Sequence, residues 1–202
     1  MASGENGITI VIPTLDKEQG DRTGRLAQKS AGTSVPVRVI VSVDRKKEGF
    51  TKTVNKGIRA ANNSDDICIL NDDVTGFQFG WLEILRRVLY ANARYGLSCP
   101  SGASAASPMN KGRPGQQGMQ VVNQASFWCV LLKRQMIRQL GLLDEDMIHY
   151  CSDNHYCWVM RRKKWKCVWA KAVFLKHRQH GSGIQSAWKS HDRKVFFRKI
   201  GK

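Results

Sequence analysis

Ile67-Cys68-Ile69-Leu70-Asn71-Asp72-Asp73 is the stretch on which the reading of this chain turns. A short apolar run passes directly into polar residues ending in two adjacent carboxylates. The run suits a strand buried in a sheet, which places the acids at its carboxyl end. Two runs of the same kind precede it. Ile8-Thr9-Ile10-Val11-Ile12 is β-branched and stops at Pro13, and Val37-Arg38-Val39-Ile40-Val41-Ser42-Val43 stops at Asp44. Between the second and third runs, Phe50, Val54, Ile58 and Ala61 recur at helical spacing. Trp81 to Tyr95 is the clearest helix, with Leu82, Leu85, Val88, Leu89 and Ala93 on one side. Strands alternating with helices predict an α/β architecture: a mixed, mainly parallel sheet with helices on both faces.

Ligands of such sheets bind beyond the carboxyl ends of the strands. The rule points to Pro13-Thr14, to Asp44 and to Asn71-Asp72-Asp73, although strand ends are also polar simply because loops begin there. Farther on, Ser101 to Gln120 holds small and polar residues and reads as a long loop, either a lid or a surface insertion. Ala125 to Leu132 reads as a strand, Gln135 to Leu143 as a short helix, Asp153 to Lys164 as another helix, and Ala172 to Leu175 as a strand.

The chain has 202 residues and 22.8 kDa, enough for one domain with a modest appendage, and 42% of it is hydrophobic. Its net charge is +17 and its pI about 10.0. The charge is concentrated late: after Asp153 there are 14 Lys and Arg against one acid, Asp192. An anionic partner is implied, whether nucleic acid, a phosphorylated substrate or a membrane surface. No apolar run approaches the roughly 20 residues of a membrane span, and Met1 to Asn6 lacks the regions of a secretion signal. Six cysteines without a Cys-x-x-Cys pair suit reduced thiols and a cytoplasmic setting, peripheral to a membrane or nucleic acid. His149, Cys151, His155 and Cys157 fall close together, but their spacing matches no common zinc finger. The tail from Trp188 to Ile200 mixes Val195, Phe196, Phe197 and Ile200 with Lys and Arg. It suits a helix lying on a membrane, an arm along a phosphate backbone, or a helix packed on the domain.

Carboxylates at a strand end can hold a divalent ion, which in turn neutralises a diphosphate. Neither GxxxxGK[ST] nor GxGxxG occurs, so a bound diphosphate would take much of its counter-charge from metal. Asp153, at the start of a helix, is suited either to general-base work or to capping that helix. His177 and His180 follow a strand and suit metal ligation or a plain surface role.

The order of these segments, over roughly residues 7 to 183, resembles the family-2 glycosyltransferases, which have the GT-A fold. Ile8-Thr9-Ile10-Val11-Ile12-Pro13-Thr14-Leu15 is similar to that family's opening strand and donor-binding turn. Val39 to Asp44 is similar to its second strand, ending in the acid that contacts the nucleoside. Thr53-Val54-Asn55-Lys56-Gly57-Ile58 resembles its helix segment with a typical Asn and Gly. Leu70-Asn71-Asp72-Asp73-Val74 resembles the metal-binding DXD motif, with Asn71 in place of the first acid. Gly141-Leu142-Leu143-Asp144-Glu145 resembles its Gly-x-Phe-Asp-Glu stretch, and Ser152-Asp153 stands where a catalytic Glu-Asp pair belongs, with Ser152 replacing the Glu. Phe127 stands where the family commonly has a glycine, and His177 where a late metal-ligand histidine is often found.

The resemblance implies a GT-A domain over 1–183 and a basic helical tail over 184–202. It implies inverting transfer of a sugar from a nucleotide-diphosphate sugar to an acceptor hydroxyl, with Mn²⁺ or Mg²⁺ held by Asp73, Asp72 and His177. Pro13, Thr14, Asp44, Asn55, Asn71, Asp72 and Asp73 would bind the donor, and Asp153 would be the base. Trp128, Ser152, Arg161 and Arg162 would face the acceptor. The late basic charge and the missing membrane span favour a nucleic-acid acceptor, such as a hydroxylated DNA base, over a lipid-linked glycan at a membrane. A non-catalytic basic nucleic-acid-binding protein is the reading of a different class.

Overall fold

The computed structural model describes residues 7–103, 110–178 and 186–201. Among these residues, β1 (Ile8–Thr14), β2 (Val37–Val43), β3 (Asp66–Leu70), β4 (Val74–Thr75), β5 (Tyr95–Gly102), β6 (Met119–Val122), β7 (Cys129–Leu132) and β8 (Lys166–His177) join in one sheet. Its order is β2-β1-β3-β7-β5-β8-β4, with β6 also paired to β8. β1, β2, β3, β5 and β8 run in one direction, and β4, β6 and β7 run against them. The sheet is therefore mixed and mainly parallel, as the alternating elements predict.

Successive strand residues point to opposite faces, and here they supply two cores. Ile8, Ile10, Ile12, Cys68, Leu70, Cys129 and Leu131 belong to one core, while Val11, Ile67, Ile69, Val130 and Leu132 belong to the other. The first is covered by α1 (Lys17–Lys29) and α3 (Trp81–Tyr90). The second is covered by α2 (Phe50–Ala60), α4 (Arg134–Leu140) and α5 (Ser152–Arg162). A last helix, α6 (Ser186–Lys199), carries the basic tail. Five of the six cysteines are buried and all are free thiols, with Cys151 half-buried.

Several elements depart from the sequence reading; β8, expected only over Ala172 to Leu175, runs from Lys166 to His177. α1 has no apolar stripe; it buries Gly20, Thr23, Gly24 and Ala27. Small residues let it approach β2 closely, so that a Cβ on Gly24 would meet Val39 Cγ1 at 2.7 Å. The helix expected over Trp81 to Tyr95 ends at Tyr90, and β5 follows. β5 hides because it buries small polar residues whose hydroxyls are satisfied locally: Ser98 donates to the Leu85 carbonyl at 3.0 Å, and Ser101 accepts from the Trp169 indole at 2.9 Å. The expected strand Ala125 to Leu132 is a strand only from Cys129, because residues 127–128 form a turn before it. Within the loop expected over Ser101 to Gln120, residues 104–109 lie outside the described residues, as do Met1 to Asn6 and His180.

Candidate functional site

At the carboxyl edge of the sheet β3 runs into Asn71-Asp72-Asp73 and β8 ends at His177, whose register partner is Val74. β7 is antiparallel to β3, so its beginning lies at the same edge. These strands converge on one imidazole. His177 Nε2 is 3.1 Å from Asp73 Oδ1 and 3.3 Å from Asn71 Nδ2. The Trp128 ring stacks on His177, 5.3 Å between centroids and 9° from parallel. The Trp128 carbonyl in turn accepts from the Asn71 N–H at 2.8 Å.

Two polar atoms of this group, Asn71 Oδ1 and His177 Nδ1, are buried without a hydrogen-bond partner. Leaving such atoms unpaired costs about 1–3 kcal/mol each. A carboxylate, an imidazole and an amide oxygen are a donor set that suits a small divalent cation such as Mn²⁺ or Mg²⁺. The remaining coordination positions would fall to phosphate and water, the usual arrangement for these ions at nucleotide sites. Among the described residues no three of His, Cys, Asp and Glu gather as a metal cluster; the side chains here that could contribute to holding an ion are Asp73, His177 and Asn71.

Asp72 does not join them. Its side chain turns the other way, toward Thr14, whose hydroxyl donates to Asp72 Oδ2 at 2.5 Å. Gln19 and Thr23 of α1 hold the Asp72 carbonyl at 2.8 and 2.6 Å. Burial pushes the Asp72 carboxyl above its ordinary value, and the charge of Asp73 adds to this while the Thr14 bond opposes it. Asp72 thus ties the turn after β1 to the end of β3, and of the expected metal ligands Asp73, Asp72 and His177 its carboxylate is the one turned away from the imidazole.

Asp153 sits at a second centre. α5 starts after Cys151, a non-glycine residue at φ 61°, and Cys151 rather than Asp153 holds the capping position. The Asp153 carboxylate accepts from the Asn154 N–H at 2.7 Å and from the Phe127 N–H. Burial raises its pKa, with these N–H bonds pulling the other way. It lines a cavity of about 280 Å³ together with Ser126, His149, Tyr150, Lys189 and Arg193. Burial also lowers the pKa of His149, which favours its neutral form. Phe127 therefore touches the Asp153 centre through its backbone, while its neighbour Trp128 stacks on His177.

Lys189 and Arg193 reach this cavity because α6 folds back over the chain. Asp192, fully buried, accepts from the backbone N–H groups of Ile148, His149 and Tyr150 at 2.8, 2.8 and 2.7 Å. His191 Nδ1 lies 2.9 Å from the same carboxylate. Lys199 closes the helix's other end on Asp144 and Asp146 at 2.7 and 2.8 Å. Of the three expectations for the tail, packing on the domain is the arrangement observed. Sequence reasoning missed Asp192, Lys189 and Arg193, though one signal was available: Asp192 is the only acid after Asp153.

Other expected site residues are placed differently. Pro13 and Thr14 lie buried at the end of β1, against β2. Both Asp44 carboxylate oxygens accept from the loop before α2, at 2.9 Å from the Glu48 N–H and 2.8 Å from that of Gly49. Asn55 is buried and clamps α2 to Leu143 and Glu145 through its Nδ2 and Oδ1. Trp128 is buried and its stacking partner is His177, so it offers no free face to an acceptor. Ser152 is buried and does not line the Asp153 cavity. Arg161 donates to the Asn123 carbonyl and Arg162 lies over the Trp158 ring, both outside the Asp153 cavity. The four residues once considered for zinc do not assemble either. His155 faces Asp144 at 3.8 Å, and burial pushes the Cys157 thiol up to about 12.

No protein-family model and no curated protein matches the chain. Similarity appears among solved structures. The chain superposes on a crystal structure of GalNAc-T7 with UDP, GalNAc and Mn²⁺ at a TM-score of 0.69 and 12% identity, covering 96% of this chain and 48% of that one. It therefore spans about half the length of that relative in fold. It also superposes on glucosyl-3-phosphoglycerate synthase from Mycobacterium tuberculosis in complex with Mn²⁺, UDP and glucosyl-3-phosphoglycerate, at a TM-score of 0.67 and 10% identity, covering 97% of this chain and 80% of that one. The fold is the GT-A fold of nucleotide-diphospho-sugar transferases.

Proposed function

We propose that this chain is a metal-dependent, inverting glycosyltransferase that moves a sugar from a nucleotide-diphosphate sugar to a hydroxyl of an anionic acceptor. The observation that carries the proposal is the adjacency of two centres. Asp73 stands with His177 and Asn71, and the last two each keep a buried atom without a hydrogen-bond partner; consecutive residues Phe127 and Trp128 link this group to Asp153. The structural neighbours, crystallised with UDP and Mn²⁺, support the donor class.

Asp73, His177 and Asn71 would hold Mn²⁺ or Mg²⁺, which when bound neutralises charge on the departing diphosphate. Trp128 keeps the imidazole plane fixed and closes the space behind it. Thr14 and Asp72 brace the turn on which the donor would rest. Asp153 would accept the proton of the attacking hydroxyl at a carboxylate oxygen, and its raised pKa makes it a stronger base than an exposed Asp. Its contribution is mainly positional: the Phe127 and Asn154 N–H groups aim the carboxylate into the cavity.

For the acceptor we favour nucleic acid. Arg94, Arg161, Lys164 and Lys166 surround Trp165 in an open hollow at the far end of α5. Arg161 lies about 12 Å along the helix from Asp153, given the rise of an α-helix. A nucleotide turned out of its stack into the cavity would leave its neighbours' phosphates near this basic hollow. Among the described residues no helix is long and apolar enough to cross a membrane. Phe196 and Phe197, the tail side chains suited to dip into a membrane, are half-buried and pack on each other at 5.5 Å.

The test is transfer of labelled sugars from a panel of nucleotide sugars, with Mn²⁺, into nucleic-acid, lipid and polysaccharide fractions of a cell extract. Label in DNA or RNA supports the full proposal. Label in lipid or polysaccharide keeps the enzyme and replaces the acceptor. Salt-sensitive nucleic-acid binding that needs neither metal nor nucleotide sugar, with no label in any fraction, would make the chain a binding protein on this fold.

A further inference from the structure

We infer that Lys189 and Arg193 of α6 form an anion subsite in the Asp153 cavity, built to take the phosphate of a hydroxyl-bearing organic phosphate. The inference rests on the acceptor side of the proposed function and names the chemistry of the group bound there.

Four observations converge on it. Lys189 and Arg193 are four residues apart on one helix, so their side chains emerge on the same face one turn apart. Both line the cavity that Asp153 lines. The face cannot rotate away, because Asp192, between them in sequence, is buried and takes three backbone N–H bonds from residues 148–150. Finally, among the described residues neither cation has a carboxylate within ion-pair distance, although Lys199 of the same helix meets two. Arg193 is steadied by the Phe197 ring, 5.5 Å from its guanidinium carbon.

The cavity's chemistry fits a phosphate rather than a neutral sugar. Arg presents a planar fork of donors matched to phosphate oxygens, and Lys adds a compact charge. The volume, about 280 Å³, suits one small phosphorylated unit: a phosphorylated metabolite or a single nucleotide of a longer strand. With the phosphate on α6, a hydroxyl of the same unit can lie toward the carboxylate on α5.

The experiment uses the full chain and two probes, glycerol 3-phosphate and a trithymidylate, with binding followed by phosphorus NMR. UDP with Mn²⁺ is titrated separately into the same samples. The expected result is saturable binding of at least one probe, weakened about tenfold or more in the Lys189→Gln/Arg193→Gln variant. Lys189→Arg, which keeps the charge, should restore most of the affinity to the Lys189→Gln loss. Binding of glycerol 3-phosphate alone identifies a free small phosphate as the source, and binding of the trithymidylate identifies a nucleic acid. Equal affinity in the parent and double variant, or no saturable binding of either probe by the parent, overturns the subsite. Failure of UDP with Mn²⁺ to bind the parent, while probe binding still depends on the two cations, would overturn the donor reading and leave the subsite standing. Both side chains are exposed, so the variants should fold; an unchanged circular dichroism spectrum checks this.

Discussion

The two sides of the cleft are held in different ways. On the side proposed for the metal, Asn71 and Asp73 lie in the short turn between β3 and β4, and the pairing of Val74 with His177 and the Asn71 N–H bond to the Trp128 carbonyl fix that turn to the sheet. On the base side, Asp153 follows a non-glycine residue at positive φ, and the loop before it is secured by one carboxylate from a helix about forty residues later in the chain. A site built on strand ends inherits the rigidity of the core. A site built on a pinned loop depends on its pin, and damage there should reach both stability and turnover.

The comparison is most severely tested at Asp153. Asp153→Asn should lower transfer about 10³-fold while UDP with Mn²⁺ binds as before, measured by initial rates beside calorimetry. Retained turnover would remove the base from the assignment. At the pin, Asp192→Ala leaves three backbone N–H groups without their acceptor and should cost about 2–4 kcal/mol in urea unfolding. A loss under about 0.5 kcal/mol would show that the loop holds itself. On the metal side, Asp73→Ala should weaken metal-dependent UDP binding about 10- to 100-fold with little change in the unfolding midpoint. Asp72→Asn should change it far less, because that carboxylate serves Thr14 instead.

Acidity separates the two sides further. At Asp192 burial pushes the carboxyl up, but the His191 bond and the three N–H bonds outweigh it and hold the pKa below its ordinary value. Stability from this group is fully present above the unfolded value, about 3.9, and is lost as pH falls through the lower folded one. Asp192→Asn should flatten that acid loss in unfolding measured as a function of pH. Asp153 shifts the opposite way, so the acid limb of the rate should lie above the ordinary Asp value. A limb at about 3.9 would place Asp153 in a solvent-like setting.

The difference between the sides also governed what the sequence disclosed. β1, β2 and β3 were legible because apolar runs announce strands, and strand ends then locate Thr14 and Asp73 without knowledge of packing. α1 was not, since its buried face is Gly20, Thr23, Gly24 and Ala27, which carry no hydrophobic period. Asp44 and Asn55 were found as residues, yet the structure commits their hydrogen bonds to the chain itself. Lys189, Asp192 and Arg193 acquire meaning only when α6 docks, and no local pattern encodes a contact over such a separation. The same holds for Trp128, whose aromatic ring reads as a stacking platform until β8 brings His177 beneath it.

The turn at Phe127 and Trp128 acts as a ruler. Phe127 bonds to Asp153, the proposed proton acceptor, and Trp128 supports His177, the proposed cation ligand, so the two centres are referenced to α-carbons only about 3.8 Å apart. Inserting a single residue between them would put both marks out of register at once, sparing each centre's own residues while breaking their alignment. The length of one peptide unit, more than the identity of any side chain in the turn, sets the gauge for the chemistry.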